Sequence, residues 1–489
     1  RVAGLRFLYE EYLSPQDGSR TKIDWDHQTG IESVMVEGKP LEFNVSLSFD
    51  GIDTHKVRIY AAFAHGAVVL LARVADKNDG LLSQLYPDNR EHHLRQMAFL
   101  SRVFVELYKN FGVAPDILRL NEPQLFFLLV SIENDVSYFR SLRKEKSIFE
   151  DTLISLTTHT PEAAALPVVH NPGWLKSNIG EGLVPDWSII DGRIDFARRL
   201  ADSPRVKVIN AVAQEHGEVT KLAVLNEDKW IKKIVAITNG SWAELWKSKA
   251  LKDLEGSKKV NGKELFDIGQ AIKQNLNKYL SDNAGIGFSD SSKPLVALVR
   301  RLVAYKEQQI LFALLPWITG DRSKQYLMSW GLEYGLGMNL LVGGVGREDE
   351  GRGWVSRFKW LASQEEYKGK FIFIDGSGTE LMQLATQACD VWVSMPRSTR
   401  EACGTSDQRA AFNGKLNIAT LTGGPAEYIV SGVNGWIMDV FASRNNFQDV
   451  VRAMQLPAET KEHQDAVGFY KMKSQQLLAQ YLKEATKLY

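Results

Sequence analysis

The stretch DVWVSMPRSTREACGTSDQRAAFNGKLNIATLTGG (390–424) holds an apolar strand, a polar loop, a run of helix formers ending at Asn413-Gly414, a second strand and a glycine pair. Strand, loop and helix repeated in this way argue for a parallel sheet with helices on both faces. In such sheets ligands bind beyond the carboxyl ends of the strands. The loop EACGTS (401–406) falls at such an end. Gly404 permits close backbone approach, and Thr405 and Ser406 offer hydroxyls and amide N–H groups to an anion. Glu401 can accept hydrogen bonds from sugar or ribose hydroxyls. A second loop of this kind closes the stretch at Gly423-Gly424, with Glu427 nearby.

Working outward, VRRLVAYKEQQ (299–309) delivers Arg300 and Arg301 at the end of the apolar strand PLVALV and Lys306 at the start of the next helix. Cations at a strand's carboxyl end are suited to phosphate. MNLLVGGVG (338–346) and KFIFIDGSG (370–378) repeat the pattern, and DTLISLTTHTP (151–161) and KIVAITNG (233–240) extend it upstream. Nearer the start, KVRIYAAF (56–63) and AVVLLARV (67–74) read as strands, and residues 90–112 as a helix stopped by Gly112. A domain boundary is expected in NAGIGFSDSSK (283–293), and a terminal helix over 470–489. GGVGREDEGRG (343–353) resembles a dinucleotide loop only loosely; its acidic run would repel phosphate, so it reads as a mobile surface loop.

Composition excludes several functions. Lys+Arg and Asp+Glu both number 59, so no net basic character points to nucleic acid or an acidic membrane. Two cysteines, Cys389 and Cys403, are too few for a disulfide framework and suit a reducing, cytoplasmic compartment. The most apolar early stretch, 61–72, is broken by His65-Gly66 and is too short to span a bilayer. No metal site is expected: His92-His93 are adjacent on a helix and read as a surface charge cluster. His216 reads as structural, and Cys403 as a small buried hydrophobe with no histidine near it in sequence.

LTTHTPEAA (156–164), VINAVAQEHGEVT (208–220), ITNG (237–240), VRRLVAYK (299–306) and the 390–424 stretch, in that order, resemble the α-glucan phosphorylases. QLYPDNREHHLRQ (84–96) and LRLNEPQ (118–124) match shorter bacterial and archaeal members. The resemblance runs over roughly residues 50 to 450. It implies a glycosyltransferase-B fold, with two Rossmann-like domains facing across a cleft, and retaining glucosyl transfer between an α-1,4-glucan and phosphate with pyridoxal phosphate (PLP). The domains would span 1–285 (acceptor side) and 286–470 (donor side), with helix 471–489 packing across both.

Carried over by position, Arg301 and Lys306 would hold the substrate phosphate, with Arg300 beside them. His159 and Asn239 would contact the transferred sugar, Glu401 its 3-hydroxyl, and Gly404 and Thr405 a second phosphate, that of PLP. The family's Schiff-base lysine falls at Arg409, whose guanidinium stays protonated and cannot condense with an aldehyde. The family's first glycine-rich loop would precede Arg1, so the N-terminal domain is expected to lack its first segment or to be completed by a partner chain or a second copy. Asn121-Glu122-Pro123-Gln124 stands where the family has Asn-Glu-Gly-His, and Ser241-Trp242 where it has Val-His. The leading expectation is therefore a retaining hexosyltransferase acting on a nucleotide-sugar donor and a carbohydrate acceptor, without covalent PLP. The alternatives are an α-1,4-glucan phosphorylase with non-covalent PLP and a non-catalytic glucan-binding paralogue or partner subunit.

Overall fold

The structure is a computed structural model. It describes residues 3–7, 11–13, 20–22, 30–47, 53–64, 67–76, 80–82, 89–142, 146–159, 166–255, 261–346, 349–376, 378–440, 452–453 and 456–488. The chain divides into two compact units, Arg20–Asn210 with Val224–Val235 making up most of the first, and Ala211–Ala223 with Ala236–Tyr489 most of the second.

In the first unit, β1 (Thr54–Ala64) and β2 (Ala67–Val74) pair antiparallel, as two strands so close in sequence must. Ala3–Phe7, Ile31–Ser33 and Glu42–Ser46 complete a mixed five-stranded sheet. Helix α1 (Arg90–Phe111) begins at Asn89, whose side chain accepts from the Glu91 N–H, and ends at Gly112. That glycine sits at φ 67°, a left-handed turn that a side chain would strain, and its N–H donates to the Lys109 carbonyl. A four-stranded sheet follows, in the order β3 (Ile117–Asn121), β4 (Leu153–Thr158), β5 (Val206–Ala211) and β6 (Ile234–Ala236), with β3 and β4 parallel. His92 and His93 are half-buried on α1 rather than forming a surface cluster. His92 Nε2 lies 3.1 Å from the Leu81 carbonyl, and burial pushes His93 below the usual histidine range.

The second unit is built on one parallel sheet of six strands: β7 (Leu295–Val299), β8 (Asn339–Gly343), β9 (Phe371–Ile374), β10 (Val391–Ser394), β11 (Leu416–Thr420) and β12 (Gly435–Met438). Their spatial order is β9-β8-β7-β10-β11-β12, every pair parallel. The chain winds outward from β7 in one direction, then returns to start again at β10 in the other. β7 and β10 therefore flank the topological switch point, where a doubly wound sheet opens a crevice beyond its strand ends. Alternation along β7 feeds two cores. Val296 and Leu298 pack on one face with Phe358 and Tyr470, while Leu295, Ala297 and Val299 pack on the other with Leu276 and Ala385.

Three expectations differ in detail. Helix α2 (Gly262–Ala284) belongs to the second unit, so the division does not fall at 285. Its Ile272, Leu276 and Leu280 enter that unit's core, and its Lys273 forms a buried ion pair of 2.5 Å with Asp390. The terminal helix, Lys461–Thr486, starts ten residues before 471 and buries Ala466, Tyr470, Leu478 and Leu482 in the second unit's own core. Tyr470 donates its hydroxyl to the Met395 and Pro396 carbonyls, tying this helix to the segment after β10. Finally, 343–353 is no loose surface loop, because helix α3 (Asp349–Ser363) begins inside it. Arg347 and Glu348 lie outside the described residues. Among the described residues, no helix is long and apolar enough to cross a membrane.

Candidate functional site

The ends of β7 and β10 carry the densest group of buried charges in the second unit. Arg300, the first residue past β7, is buried, whereas Arg301 is exposed. Consecutive residues leaving a strand point to opposite sides, so only one of the two can enter the network. Arg300 donates through Nη1 to Ser394 Oγ (2.8 Å) and through Nη2 to Glu401 Oε2 (2.7 Å). The backbone then makes a short 3-10 turn, Ala304–Lys306, that buries Lys306 and brings its Nζ to the same Glu401 oxygen at 2.7 Å. The resemblance groups Arg301 with Lys306 at a phosphate, with Arg300 beside them; on Glu401 it is Arg300 that meets Lys306. Arg301 adds its charge at longer range to both Lys306 and Glu401.

Burial, with the Arg300 charge beside it, pushes Lys306 down to about 8. Burial alone would raise Glu401, but Lys306 and Arg300 outweigh it and hold the carboxyl below the ordinary glutamate range. At neutral pH the triad is two cations on one carboxylate, with one positive charge over. It attracts an anion, and Glu401 within it is an acceptor only.

The loop after Glu401 is fastened from several sides. Gly423, at φ 60°, donates its N–H to Glu215 Oε2 (2.6 Å), and a Cβ there would come to 2.9 Å from the Ala402 carbonyl oxygen. Gln408 donates to the Asn239 carbonyl (2.8 Å) and accepts from the Ser241 N–H (2.8 Å), which brings Asn239 beside Cys403 and Ser241 Oγ to 3.4 Å from the Thr405 carbonyl. Arg409 lies 3.8 Å from the Trp246 ring centroid, stacked on its face, and donates to Thr405 Oγ1 at 3.1 Å. Burial pushes the Cys403 thiol up to about 12, which removes it as a nucleophile near neutral pH. His216 is buried with Nδ1 accepting from the Val212 N–H (3.2 Å), a structural role. In the first unit, His159 Nδ1 lies 2.8 Å from Glu122 Oε1, which also accepts the His159 N–H. Glu122 itself stands at φ 84°, a strained conformation for a side chain.

Gly344 and Gly351, within 343–353, pack against the cation-bearing turn. A Cβ on Gly344 would overlap the Arg300 carbonyl oxygen, and one on Gly351 that of Leu302. Gly344→Ala is expected to displace the turn that carries Arg300, costing about 1–3 kcal/mol of stability as overpacking does. It should also weaken sulfate binding. A thermal midpoint and sulfate affinity equal to wild type would show that the turn does not depend on this contact.

Sequence reasoning missed Trp246, Ser394, Asp407 and Tyr428. Ser394 and Asp407 stood inside the 390–424 stretch and Tyr428 lies just past it, but none of the three carries a local signal of its partner; Trp246 comes from a distant segment.

Residues 283–468 match the family described as glycosyl transferases group 1. Glycogen phosphorylase from Aquifex aeolicus is 24% identical over 421 residues, 73% of this chain and 57% of that protein. Glycogen phosphorylase from Mycobacterium tuberculosis is 23% identical over 503 residues, 86% of this chain and 56% of that one. The chain thus spans little more than half the length of these curated relatives. Among solved structures, the catalytic domain of starch synthase IV from Arabidopsis thaliana, bound to ADP and acarbose, superposes with a TM-score of 0.62 at 16% identity. That match covers 97% of this chain and 91% of the other. The chain is a protein of glycosyltransferase-B fold, matched over residues 283–468 by the family of glycosyl transferases group 1 and similar in sequence to glycogen phosphorylases.

Proposed function

We propose that this protein transfers a hexosyl unit, with retention of configuration, from a nucleotide-sugar donor to a carbohydrate acceptor, without covalent PLP. The observation that carries the reading is the meeting of Arg300 and Lys306 on Glu401 at the switch point of the second unit's sheet. Two buried cations with one positive charge in excess stabilise the phosphate that departs as the sugar takes on oxocarbenium character. Glu401, held ionised, accepts from a sugar hydroxyl and orients the ring. Its lone pairs are shared with two cations, which leaves it a poor nucleophile. The starch synthase IV catalytic domain is bound to ADP, which supports a nucleoside diphosphate as the class of leaving group.

The residue at 409, where the resemblance puts the Schiff-base lysine, does not fit covalently held PLP. A Schiff base needs an amine that can lose its proton, and at 409 stands a guanidinium spent on Trp246 and Thr405. Arg409 instead suits a bidentate clamp on a distal phosphate of the donor. Similarity to glycogen phosphorylases favours a second reading, phosphorolysis of an α-1,4-glucan with non-covalent PLP.

One experiment separates them. Wild type and Arg409→Lys are assayed on maltodextrin with a panel of nucleotide sugars, and with orthophosphate, each with and without added PLP. The expected result is nucleotide release by wild type, no pyridoxyl adduct after borohydride reduction, and roughly tenfold weaker donor binding in Arg409→Lys although charge is kept. Phosphorolysis gained in Arg409→Lys, with no nucleotide-sugar turnover by wild type, would refute the proposal. Binding of maltodextrin with turnover of neither donor would make the chain a glucan-binding protein.

A further inference from the structure

Asp407 lies inside the site, yet nothing in the transfer just described uses it. Its side chain is 1% exposed. The Tyr428 hydroxyl donates to Oδ2, and the Asp407 main-chain carbonyl accepts from Asn417 Nδ2 at 3.2 Å. The other carboxyl oxygen, Oδ1, is buried without a hydrogen-bond partner, and so is Nε of Arg300. Both side chains border the notch that Gly404 leaves by having no Cβ. A Cβ built there would stand 3.5 Å from Asp407 Oδ1 and 3.5 Å from Arg300 Nη2. Buried polar atoms without partners are costly, and Asp407 Oδ1, which borders the notch itself, points to a ligand that completes it.

The sign of the charge decides what Asp407 can do. An ionised carboxylate at this notch would repel a phosphate; a carboxylic acid would donate to it. We propose that Asp407 is a further ligand-binding residue of the cradle, acting as a carboxylic acid whose Oδ1–H donates to a phosphate oxygen seated over Gly404. Anion and proton are then taken up together. This rests on the reading of the cradle as a donor-phosphate site.

The surroundings suit the role. Burial pushes Asp407 up to about 6, against the pull of Tyr428, of its own main-chain N–H and of Arg300, and with the help of the Glu401 charge. The groups facing it are Tyr428 from the segment after Gly423-Gly424, Arg300 from the end of β7, Glu401 and Cys403 from the preceding loop, and Arg409 from the same short helix, Ser406–Ala411. Tyr428 is held well above the ordinary tyrosine range, first by burial and then by Asp407, and Cys403 is at about 12, so both stay neutral. Arg300, Arg409 and Glu401 stay charged. Lys306, in the same cradle, changes charge only at about 8. A bound anion raises the proton affinity of Asp407 further, so binding should weaken as pH rises from about 6 towards neutrality, by up to about tenfold per pH unit.

The test uses ADP-glucose and sulfate, whose charges hold constant through this range, titrated calorimetrically at several pH values in two buffers of different protonation enthalpy. Wild type should take up a substantial fraction of a proton on binding either probe near neutral pH, and lose affinity as pH rises. Asp407→Asn keeps an N–H donor at the notch. It should bind at neutral pH at least as tightly as wild type, with proton uptake and the slope below pH 7 abolished. Tyr428→Phe, which leaves Asp407 in place but removes the hydroxyl that favours its ionised form, should move the midpoint of the pH profile upward. Proton uptake in Asp407→Asn equal to wild type, or an unmoved midpoint in Tyr428→Phe, would overturn the role of Asp407 while leaving the cradle reading intact. Failure of wild type to bind either probe at any pH would overturn both.

Discussion

Lys306→Ala is expected to lower kcat/KM for the sugar donor by about 10²–10³-fold while leaving the fold intact, the scale of losing one preorganised group aimed at developing charge. The reason lies in where Lys306 sits. Its ammonium is buried, 2.7 Å from Glu401 Oε2, and contributes half of the positive charge that Glu401 leaves only partly neutralised. Without it, Glu401 pairs with Arg300 alone and the excess charge disappears. Arg301→Ala is the contrast. Its side chain is exposed, so its loss should cost under about 1 kcal/mol and fade as salt is added. Raising the pH should imitate the lysine variant, because Lys306 loses its proton at about 8. Wild-type donor binding should therefore fall above that pH, while Lys306→Ala stays flat. Equal losses in the two variants, or none in Lys306→Ala, would mean that the buried triad is not the donor site.

The largest effect on stability is expected from Arg397→Ala, at about 3–5 kcal/mol near neutral pH. Glu307 follows Lys306 directly, is 0% exposed and stands at φ 53°, a left-handed conformation that favours glycine. What makes a buried carboxylate tolerable there is Arg397, whose Nε donates to Oε1, and Gln309, whose amide donates to Oε2. A backbone bond from the Arg397 N–H to the Tyr305 carbonyl (2.7 Å) fastens the same two segments. Together these contacts join the turn bearing Lys306 to the loop leading to Glu401. Removing Arg397 leaves a buried charge away from water, with Lys471 acting on it only through its charge and no cation hydrogen-bonded to it.

The pH dependence follows from Glu307. Burial already raises its carboxyl in the wild type, Arg397 working against this, so loss of Arg397 must raise it further. A carboxyl raised on folding binds its proton more tightly in the native state. The penalty is then absent below the unfolded value of about 4.3 and grows as pH rises through the folded one. Urea denaturation at pH 5 and pH 7.5 should show the gap between Arg397→Ala and wild type widening with pH. Adding Glu307→Gly to Arg397→Ala should recover most of the loss, since it removes both the stranded charge and the strained φ. A loss below about 1 kcal/mol at pH 7.5 would show that water reaches Glu307.

The sequence by itself determined the elements and their chemistry. Alternation and apolar runs marked β1, β2, β4 and the strands of the second unit from β7 to β11. Gly112 ended α1 where its backbone freedom was needed. The loops after β7 and β10 carry Arg, Lys, Gly and Thr at strand ends within a few residues of one another, and on these the proposed anion site rests. These signals were legible because each arises from near neighbours along the chain. Tertiary structure alone decided which arginine enters the triad, that Trp246 lies under Arg409, that Tyr428 holds Asp407, and that α2 belongs with the second unit. Glu401 meets Arg300 from 101 residues away. No local pattern encodes a pairing of that range; it exists because the order β9-β8-β7-β10-β11-β12 sets two distant strands side by side and aims both of their ends into one crevice.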